Sequence, residues 1–486
     1  MDLKIREIRT KSGKTAVQVF TITHRKRNII KHFGSASDDT ELNILKEKAR
    51  IWIEEEYSKN SLFQYQNNFS QMYEYLGFTY SYAYEFLEKI YLKFNFHKHV
   101  SNLFKDLIIT RILEPGSKRD SLQFLRVFLD KDHSENVLYK MITDYDDRNK
   151  DNLEKEILDI AKKDFSFDFS FVLYDVTTLY FESFKSDEFK RAGFSKDNKH
   201  NQPQVVIGLI VTKEGFPISY QIFKGNTFEG NTFLPSILEF KKKHEINSLT
   251  VVADSAMLSK QNLDALLSSG LNYIIASRLA NLKESLIDQI DKEIERTDGK
   301  SIRIDNLVVG YSSKRYAKDK KEQDKQIEKA KINLNRNTEK ITNIKYLKND
   351  KIKQYLNQEL IDKNTKLLGL KGYVTNLDQK SNEEIIEYYR NLVKIEHAFR
   401  IAKSDLEARP IYHHKESSIK NHILICFLAL SISVYIELKT KRSIASVLAE
   451  IKSITDAKIF NKATNKIQFE RVKDCGQVEE LERMLH

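Results

Sequence analysis

The chain has few cysteines and a single tryptophan, and it lacks a long apolar run. Its two cysteines, Cys426 and Cys475, lie far apart, with no paired His or Cys at zinc-binding spacing. We therefore expect neither a disulfide framework nor a zinc site, and a reducing, cytoplasmic compartment suits this composition. The first residues, MDLKIREIRTKSGK, lack the apolar core of a signal peptide.

The longest apolar run, ILICFLALSISVYI at residues 423–436, is too short to span a bilayer comfortably. We predict that it forms a buried helix and that the protein has no membrane partner. Basic residues are in excess, because 80 Lys and Arg stand against 69 Asp and Glu, which gives a net charge of +11 and a pI of about 9.1. This surplus favours a polyanionic partner, and nucleic acid before a membrane surface.

A chain of 486 residues is too long for one simple core, so we expect several structural units. Six regions follow from pattern and composition: a small N-terminal β-plus-helix unit (1–61), a helical, DNA-binding region (62–164), the first part of an α/β core (165–280), a Lys-rich insertion lobe (281–380), the last part of that core (381–440) and a C-terminal helical region (441–486). In the second region, EPGSKRDS separates two helices at Pro115 and Gly116. A helix-turn-helix for DNA docking and two simply packed helices give the same pattern.

From residue 165 onward the pattern changes from helices to strands. FVLYDVTTLYF, QVVIGLIVT and FPISYQIFK are rich in β-branched and aromatic residues, and a short turn joins the last two as a hairpin. They are followed by the helix FLPSILEFKKKH, the strand LTVVAD, the helix SKQNLDALLSSG and the strand NYIIASRL. Antiparallel strands followed by strands joined through helices predict a mixed α/β sheet of the ribonuclease H-like layout.

Residues 281–367 interrupt this alternation with a charged segment, KRYAKDKKEQDKQIEKAK. A charge run of this kind indicates a solvated helix face or a disordered linker, and a DNA-contacting arm is the alternative. NLVVGYSS and LKGYVTNLD are predicted as short strands on either side of it.

The stretch EEIIEYYRNLVKIEHAFRIAKSDLEARPIYHH, which starts at Glu383, has the periodicity of one helix. Its apolar residues form a buried stripe at alternating steps of three and four: Ile385, Tyr388, Leu392, Ile395, Phe399 and Ala402. A second stripe beside it contains Tyr389, Val393, Glu396, Arg400 and Lys403. Glu396 is therefore predicted at the border of the core.

Three carboxylates occupy positions suited to chemistry. Asp175 is in the middle of the first strand of the sheet, Asp254 ends the fourth strand, and Glu396 is on the helix. Taken singly, each has an ordinary alternative: a threonine bond for Asp175, a capping role for Asp254, and an i+4 pair with Arg400 for Glu396. Taken together they converge, because the first and fourth strands of such a sheet are neighbours and a helix packed across that edge would bring Glu396 to the same place.

Three oxygen ligands at one point suit Mg²⁺ or Mn²⁺. Two such ions would clamp the attacking and leaving oxygens of an in-line phosphoryl displacement. In a basic protein, this donor set predicts a nucleic-acid phosphodiester as the substrate.

The chain resembles the bacterial insertion-sequence transposases of the DDE type, in particular the cut-and-paste group whose last motif is a helical Tyr, Arg, Glu, Lys pattern. The resemblance is carried by YDVTTLYFES, GFSKDNKHNQPQVVIGL, KGNTFEGNT, VVADSAMLSKQNL and YYRNLVKIEHAFRIAKSDLEARPIYHH. One position departs from the family, since Leu392 stands where the family has Arg. The spacing of 142 positions between Asp254 and Glu396 is similar to the family's insertion before its last helix.

The resemblance implies that Asp175, Asp254 and Glu396 hold two Mg²⁺ or Mn²⁺ ions. It also implies that Tyr389 and Lys403, together with Arg400 from the same stripe, contact DNA near the transposon end. A water molecule activated between the ions would nick the end of the element, and the freed 3′ hydroxyl would attack target DNA. Because an element has two ends, a homodimer assembled on double-stranded DNA is expected, in the cytoplasm at the bacterial nucleoid.

Two other functions stay open from the sequence. One is a catalytically silent or domesticated DNA-binding protein descended from a transposase, against which the intact carboxylate trio argues. The other is a glycosidase that uses two carboxylates, which the positive charge and the single Trp52 disfavour.

Overall fold

The computed structural model describes residues 3–10, 13–23, 26–58, 72–196, 199, 201–335, 344–349, 354–471 and 477–485. The chain divides into two compact units, one formed by Met1–Thr79 with Thr455–Val472 and the other by Tyr80–Ile454 with Lys473–His486. The predicted boundary at residues 61 and 62 lies outside the described residues, as does Cys475.

The first unit begins with a three-stranded antiparallel sheet, packed against one helix. Its elements are β1 (Lys4–Arg9), β2 (Thr15–Thr23), β3 (Lys26–Ala36), α1 (Asp39–Ser58) and β4 (Tyr73–Thr79). β2 coincides with the alternating run TAVQVFTIT, and Val17 and Val19 on one face of it are buried with Ala49 of α1. Period-two alternation therefore decides which face of this sheet meets the helix.

The second unit opens with helices: α2 (Ser81–Lys93), α3 (Asn102–Leu113), α4 (Lys118–Phe128), α5 (Glu135–Thr143) and α6 (Asp147–Phe165). As predicted, Pro115 and Gly116 separate α3 from α4, and Ser117 begins α4 in a capping box with Asp120. The buried side chains of these helices belong to the same hydrophobic core as the sheet that follows. The helical region and the sheet are therefore parts of one unit.

The predicted sheet order is confirmed. The elements are β5 (Phe171–Tyr180), β6 (Gln204–Val211), β7 (Pro217–Lys224), α7 (Gly230–Lys243), β8 (Thr250–Ala253), α8 (Lys260–Ser268) and β9 (Asn272–Ser277). β5, β6 and β7 pair antiparallel, whereas β8 and β9 join the other side of β5 in parallel. The fold is thus mixed α/β, in the strand arrangement expected from the sequence.

The Lys-rich insertion extends this sheet. It contains α9 (Glu284–Glu293), β10 (Ser301–Ile304), β11 (Leu307–Tyr311), α10 (Ser313–Asn335), β12 (Leu347–Asn349), β13 (Gln354–Leu356), α11 (Gln358–Lys366) and β14 (Leu370–Thr375). β14 pairs antiparallel with β9, and β11 and β10 follow, which gives an eight-stranded sheet in the order β10-β11-β14-β9-β8-β5-β6-β7. The charged run itself is the helix α10, whose lysines are mostly exposed.

The stretch from Glu383 is not one uninterrupted helix, which corrects the prediction. It forms α12 (Asn382–Arg390), α13 (Val393–Arg400) and a π-helical turn at Ile401–Asp405. Between α12 and α13 the backbone tightens, because the amides of Leu392, Lys394 and Ile395 bond to carbonyls three residues back. The predicted apolar stripe is nevertheless buried or half-buried throughout.

The remaining elements are α14 (Glu416–Thr440), α15 (Ile444–Ser453), β15 (Asp456–Asn461), β16 (Lys466–Arg471) and α16 (Gln477–Leu485). α14 contains the longest apolar run and is long and apolar enough to cross a membrane, yet 83% of its most apolar window is buried inside the protein, as predicted for a core helix. Residues 456–461 and 466–471 form strands rather than the helices predicted for the C-terminal region, and β15 pairs with both β4 and β16.

Candidate active site

The two aspartates lie side by side at the carboxyl edge of the sheet. In the parallel pairing of β5 with β8, Tyr174 faces Ala253. The next residues along the two strands are Asp175 and Asp254, so the backbone ladder brings these carboxylates to the same level. Open α/β sheets collect their ligands at this edge.

Asp175 is a largely buried carboxylate with an incompletely compensated charge. Its side chain is 17% exposed. Burial raises the pKa of Asp175 to about 6; the Lys196 ammonium and the amide of Val176 oppose this, and the carboxylates of Asp254 and Glu229 add to it. Its partners are thus a lysine and a backbone amide, not the threonine considered from the sequence.

Lys196 lies in the segment that connects β5 to β6, and its ammonium group contacts the carboxylates of Asp175 and Glu229. Its Nζ donates to the carbonyl oxygen of Val176 at 2.6 Å and lies 3.1 Å from Oε1 of Glu229. The same Nζ is 3.9 Å from Oδ1 of Asp175. One ammonium group therefore holds Glu229 closely and Asp175 loosely, and it supplies the positive charge that a buried strand carboxylate needs.

Asp254 accepts a hydrogen bond from the helix opposite. The hydroxyl of Tyr389 on α12 donates to Oδ1 of Asp254 at 3.2 Å. Asp254 also occupies the position before a short 3₁₀ turn at Ser255–Met257, but its side chain makes no capping bond there. The capping role considered from the sequence is thus replaced by a contact with Tyr389.

Tyr389 is held rigidly behind this contact. Its side chain is buried, its ring packs against Tyr373 with centroids 4.9 Å apart, and Nζ of Lys371 lies 4.2 Å from its ring centroid. Burial, and then the negative charge of Asp254, raise the pKa of Tyr389 well above its ordinary range. The phenol therefore keeps its proton at neutral pH and can donate a hydrogen bond to Asp254.

Glu396 lines the same cleft from α13. It is exposed to solvent, which corrects the prediction that it lies at the border of the core. Within the described residues, its carboxylate forms no hydrogen bond or ion pair. Arg400 does not pair with it: the guanidinium of Arg400 lies 2.7 Å from Nδ1 of His397, whose Nε2 lies 2.6 Å from Glu437. The i+4 pair considered from the sequence is therefore not formed, and Arg400 does not line the cleft of the carboxylates.

A cleft of about 820 Å³ contains all three predicted carboxylates. Cationic side chains also line it: Lys196, Lys300, Arg315, Lys371 and Arg390. Three of these, Lys300, Arg315 and Lys371, belong to the insertion, whose strand β14 pairs with β9. Burial, and then the neighbouring Arg315, lower the pKa of Lys371. The cleft has an acidic floor on the sheet and a basic wall supplied by the insertion.

Lys403 is not in this cleft. It lines a neighbouring cleft of about 530 Å³, together with Tyr180, Lys199 and Arg409. The predicted stripe from Tyr389 to Lys403 assumed an even helical period, and the tightened turn before α13 and the π turn after it break that period. The structure consequently places Tyr389 and Glu396 in one cleft and Lys403 in another.

The donor chemistry of the cleft suits a hard divalent cation. Asp175 and Asp254 follow paired residues of neighbouring strands, and the pKa of Asp175 is raised first by burial and then, to a smaller extent, by the carboxylates of Asp254 and Glu229. Among the described side chains, however, no three His, Cys, Asp or Glu are gathered closely enough to form a metal-binding group. The aspartate pair therefore fits a metal ion, whereas Glu396 shares the cleft without completing a ligand triad.

Several cleft residues were not identified as site residues from the sequence. Lys196 falls within the block GFSKDNKHNQPQVVIGL, and its partner Glu229, which does not itself line the cleft, falls within KGNTFEGNT; neither pattern assigns them a role. Lys371 carried a usable signal, since a lysine inside the strand LKGYVTNLD is as unusual as an aspartate inside FVLYDVTTLYF. Arg315 carried none, because nothing separates it from the other cations of a charged helix.

A protein-family model described as "Transposase DDE domain" matches residues 166–432, which run from β5 into α14 and include all three carboxylates. Among solved structures, the chain is similar to a piggyBac transposase in a synaptic complex with hairpin DNA. The sequence identity is 11% and the TM-score 0.35, over 76% of this chain and 69% of that one. No curated protein matches the chain.

Proposed function

This chain belongs to the DDE transposase family, and from that premise we propose that it is an insertion-sequence transposase that cleaves the ends of its element and joins them to target DNA. The observation that carries the proposal is the register of β5 and β8. It sets Asp175 beside Asp254 at the carboxyl edge of the sheet, in a cleft that Glu396 also lines.

In this proposal Asp175 and Asp254 hold the cofactor, and Glu396, which lines the same cleft without completing a ligand group in the metal-free protein, would become the third ligand. When bound, two Mg²⁺ or Mn²⁺ ions would neutralise charge and activate the attacking oxygen. Tyr389 fixes the orientation of Asp254 through its hydrogen bond. Lys196 neutralises part of the carboxylate charge in the metal-free protein, since it contacts both Asp175 and Glu229.

The basic wall of the cleft is proposed to bind the DNA backbone. Lys300, Arg315 and Lys371 face the carboxylates across a space of about 820 Å³, and a phosphodiester between the two would meet cations on one side and metal ligands on the other. Double-stranded DNA is therefore the proposed partner, both as transposon end and as target. Two ends per element make a homodimer on DNA the proposed working assembly, at the nucleoid.

The test is cleavage of a duplex that carries the element's own end, identified from inverted repeats that flank the coding region. Purified protein is expected to nick this duplex in Mg²⁺ or Mn²⁺. Ca²⁺, which is larger and looser in geometry, should be bound without supporting turnover. Cleavage in the presence of EDTA would contradict the proposed cofactor. Binding of the duplex without cleavage under every metal condition would favour the catalytically silent DNA-binding protein.

A further inference from the structure

A second cavity, of about 580 Å³, lies at the N-terminus of α4. Its lining is rich in groups that can be cationic: Arg111, Lys118, Arg119, Arg409, His413 and His422. None of these residues belongs to the cleft of the three carboxylates, and none had a role in the sequence-based prediction of the site.

Lys118 and Arg111 are buried basic side chains without a carboxylate partner among the described residues. Lys118 is 6% exposed, and its Nζ has no hydrogen-bond partner. Arg111 is 3% exposed; its Nη1 donates to the carbonyls of Leu406 and Glu407 at 3.4 and 3.5 Å, while its Nε has no partner. Burying two neighbouring cations in this way is costly unless something negative joins them.

The position of Lys118 in its helix makes the arrangement less favourable still. It is the first residue of α4, where the free amides and the helix dipole repel a cation and attract an anion. Burial, and then Arg111, lower the pKa of Lys118. Burial, followed by Lys118 and Arg111, lowers the pKa of His413 to about 4.

The carboxylates near the cavity form no ion pair with Lys118 or Arg111. Asp120 is used by the capping box, where its Oδ2 accepts the amide of Ser117 at 3.1 Å. Arg119 has its own partner, Glu135, at 3.2 Å. Glu407 lines the cavity but is exposed. Lys118 and Arg111 are thus left without a carboxylate partner among the described residues, beside a helix N-terminus.

We propose that this cavity binds a phosphate group, held by the buried Lys118 and Arg111 and by the first amides of α4. A helix N-terminus with a lysine and an arginine is a phosphate-binding combination. The cavity is much larger than a free phosphate ion, and it shares Glu407, Arg409 and Pro410 with the neighbouring cleft that contains Lys403. These features favour a phosphate of the DNA backbone over free inorganic phosphate.

The site itself is tested with inorganic phosphate and the full-length protein. Phosphate is expected to raise the melting temperature by roughly 2 °C at concentrations about tenfold above its Kd, relative to chloride at equal ionic strength. Lys118→Met keeps the length of the side chain and removes the buried cation. It should abolish the phosphate-dependent rise without lowering the melting temperature in chloride.

Lys190→Met is the matched control. Lys190 is also a buried lysine, at 4% exposure, but it lies outside the cavity and has Asp187 at 3.6 Å as a partner. This variant should melt at a lower temperature and keep the phosphate-dependent rise. A wild-type protein without a phosphate-specific rise, or a Lys118→Met variant that retains it, would overturn the proposal.

The source of the phosphate is decided by duplex binding, measured without metal so that cleavage plays no part. If the ligand is a backbone phosphate, Lys118→Met should weaken duplex affinity several-fold, and inorganic phosphate should compete with the duplex more strongly than chloride at equal ionic strength. If free phosphate is the ligand, Lys118→Met should lose the melting-temperature rise and keep its duplex affinity. Both results support the phosphate site, and neither depends on catalysis.

Discussion

The hydroxyl of Tyr389 donates a hydrogen bond to Oδ1 of Asp254 across 3.2 Å, and this bond ties the helical motif to the sheet. The resemblance to insertion-sequence transposases assigns Tyr389 to DNA. In the structure its side chain is 6% exposed and is packed behind a carboxylate. We therefore expect Tyr389 to act by positioning Asp254. This role can be distinguished from a DNA contact by measuring the cleavage rate and the duplex affinity separately.

Tyr389→Phe removes that hydrogen bond and keeps the ring. Hydrogen bonds to a charged group contribute roughly 1.5–3 kcal/mol, so we expect the single-turnover cleavage rate to fall by roughly tenfold or more while duplex affinity is unchanged. The control is Tyr388→Phe on the same helix, whose ring packs against Phe171 at 5.0 Å and does not line the cleft. A loss of affinity at an unchanged rate would instead assign Tyr389 to DNA.

Asp175→Asn, Asp254→Asn and Glu396→Gln each remove one negative charge with almost no change of shape. Each should lower metal-dependent cleavage by more than roughly 100-fold, because even residues that only support metal ligands typically contribute 10- to 100-fold. Folding and duplex binding should persist. Glu387→Gln, an exposed carboxylate on α12 outside the cleft, is the control and should cleave normally. Near-normal cleavage by any of the three variants would remove that residue from the site.

The raised pKa of Asp175 gives a pH signature in the metal-free protein. Its pKa in the folded protein is about 6 against an ordinary value of 3.8, so its contribution to stability is fully present below pH 3.8 and is lost as the pH rises through 6. The loss amounts to at most about 3 kcal/mol. In EDTA above pH 6, Asp175→Asn should therefore be more stable than wild type to urea.

The matched control for this measurement is Asp168→Asn, which should change the stability in the opposite direction. Hydrogen bonds from Ser170 lower the pKa of Asp168. Its contribution is present at neutral pH and is lost as the pH falls, so Asp168→Asn should be less stable than wild type at pH 7. A destabilised Asp175→Asn protein at that pH would show that Asp175 has a structural role.

The lysines of α10 are tested by salt dependence. Lys318 and Lys321 are exposed, and no carboxylate among the described residues pairs with them, whereas Lys320 lies 2.9 Å from Asp324. If α10 contacts DNA, replacing Lys318 and Lys321 with Gln should reduce the log–log salt slope of duplex binding by roughly 0.9 for each lost phosphate contact. Lys320→Gln should have the smaller effect. An unchanged slope in all three variants would identify α10 as a solvated helix.

Lys403 and Arg400 are expected to behave differently, although they came from the same predicted stripe. Lys403 lines a cleft next to the buried phosphate-binding cavity, so Lys403→Ala should weaken duplex binding and leave the metal requirement of cleavage unchanged. Arg400 is engaged with His397, and Arg400→Ala should leave duplex affinity within twofold of wild type. Competitive binding of a labelled duplex distinguishes the two variants, and equal losses would restore the stripe as a DNA-binding surface.

The fold of the central sheet was predictable because its signals are local. FVLYDVTTLYF and LTVVAD are recognisable as strands by composition alone, and a known strand order then makes Asp175 and Asp254 neighbours. The pairing of β14 with β9 is a contact between strands separated by about 100 positions, and no local pattern specifies it. A lysine inside the strand LKGYVTNLD was a signal in itself, but the sequence did not show that Lys371 lies in the cleft of the carboxylates.

The helical motif shows the converse case. Its periodicity correctly gave the buried face, since Ile385 and Ile395 are fully buried. Periodicity assumes constant twist, however, and the departures at Leu392 and Ile401 depend on what the helix packs against. The predicted stripe from Tyr389 to Lys403 is therefore divided, because Lys403, beyond both departures, lines a different cleft from Tyr389 and Glu396.

The sheet continues from β9 through β14, β11 and β10, and this continuation determines which strand forms the edge of the sheet opposite β7. Without the insertion, β9 would present its unpaired backbone groups along the apolar sequence NYIIAS, a template for adhesion between molecules. With the insertion, the margin is β10, a strand of four residues that includes Arg303. The insertion thus covers the edge of β9 as well as lining the cleft. We expect a minimal catalytic fragment from which the insertion has been deleted to aggregate. A protein in which only the part of α10 that extends beyond the sheet has been shortened should stay soluble.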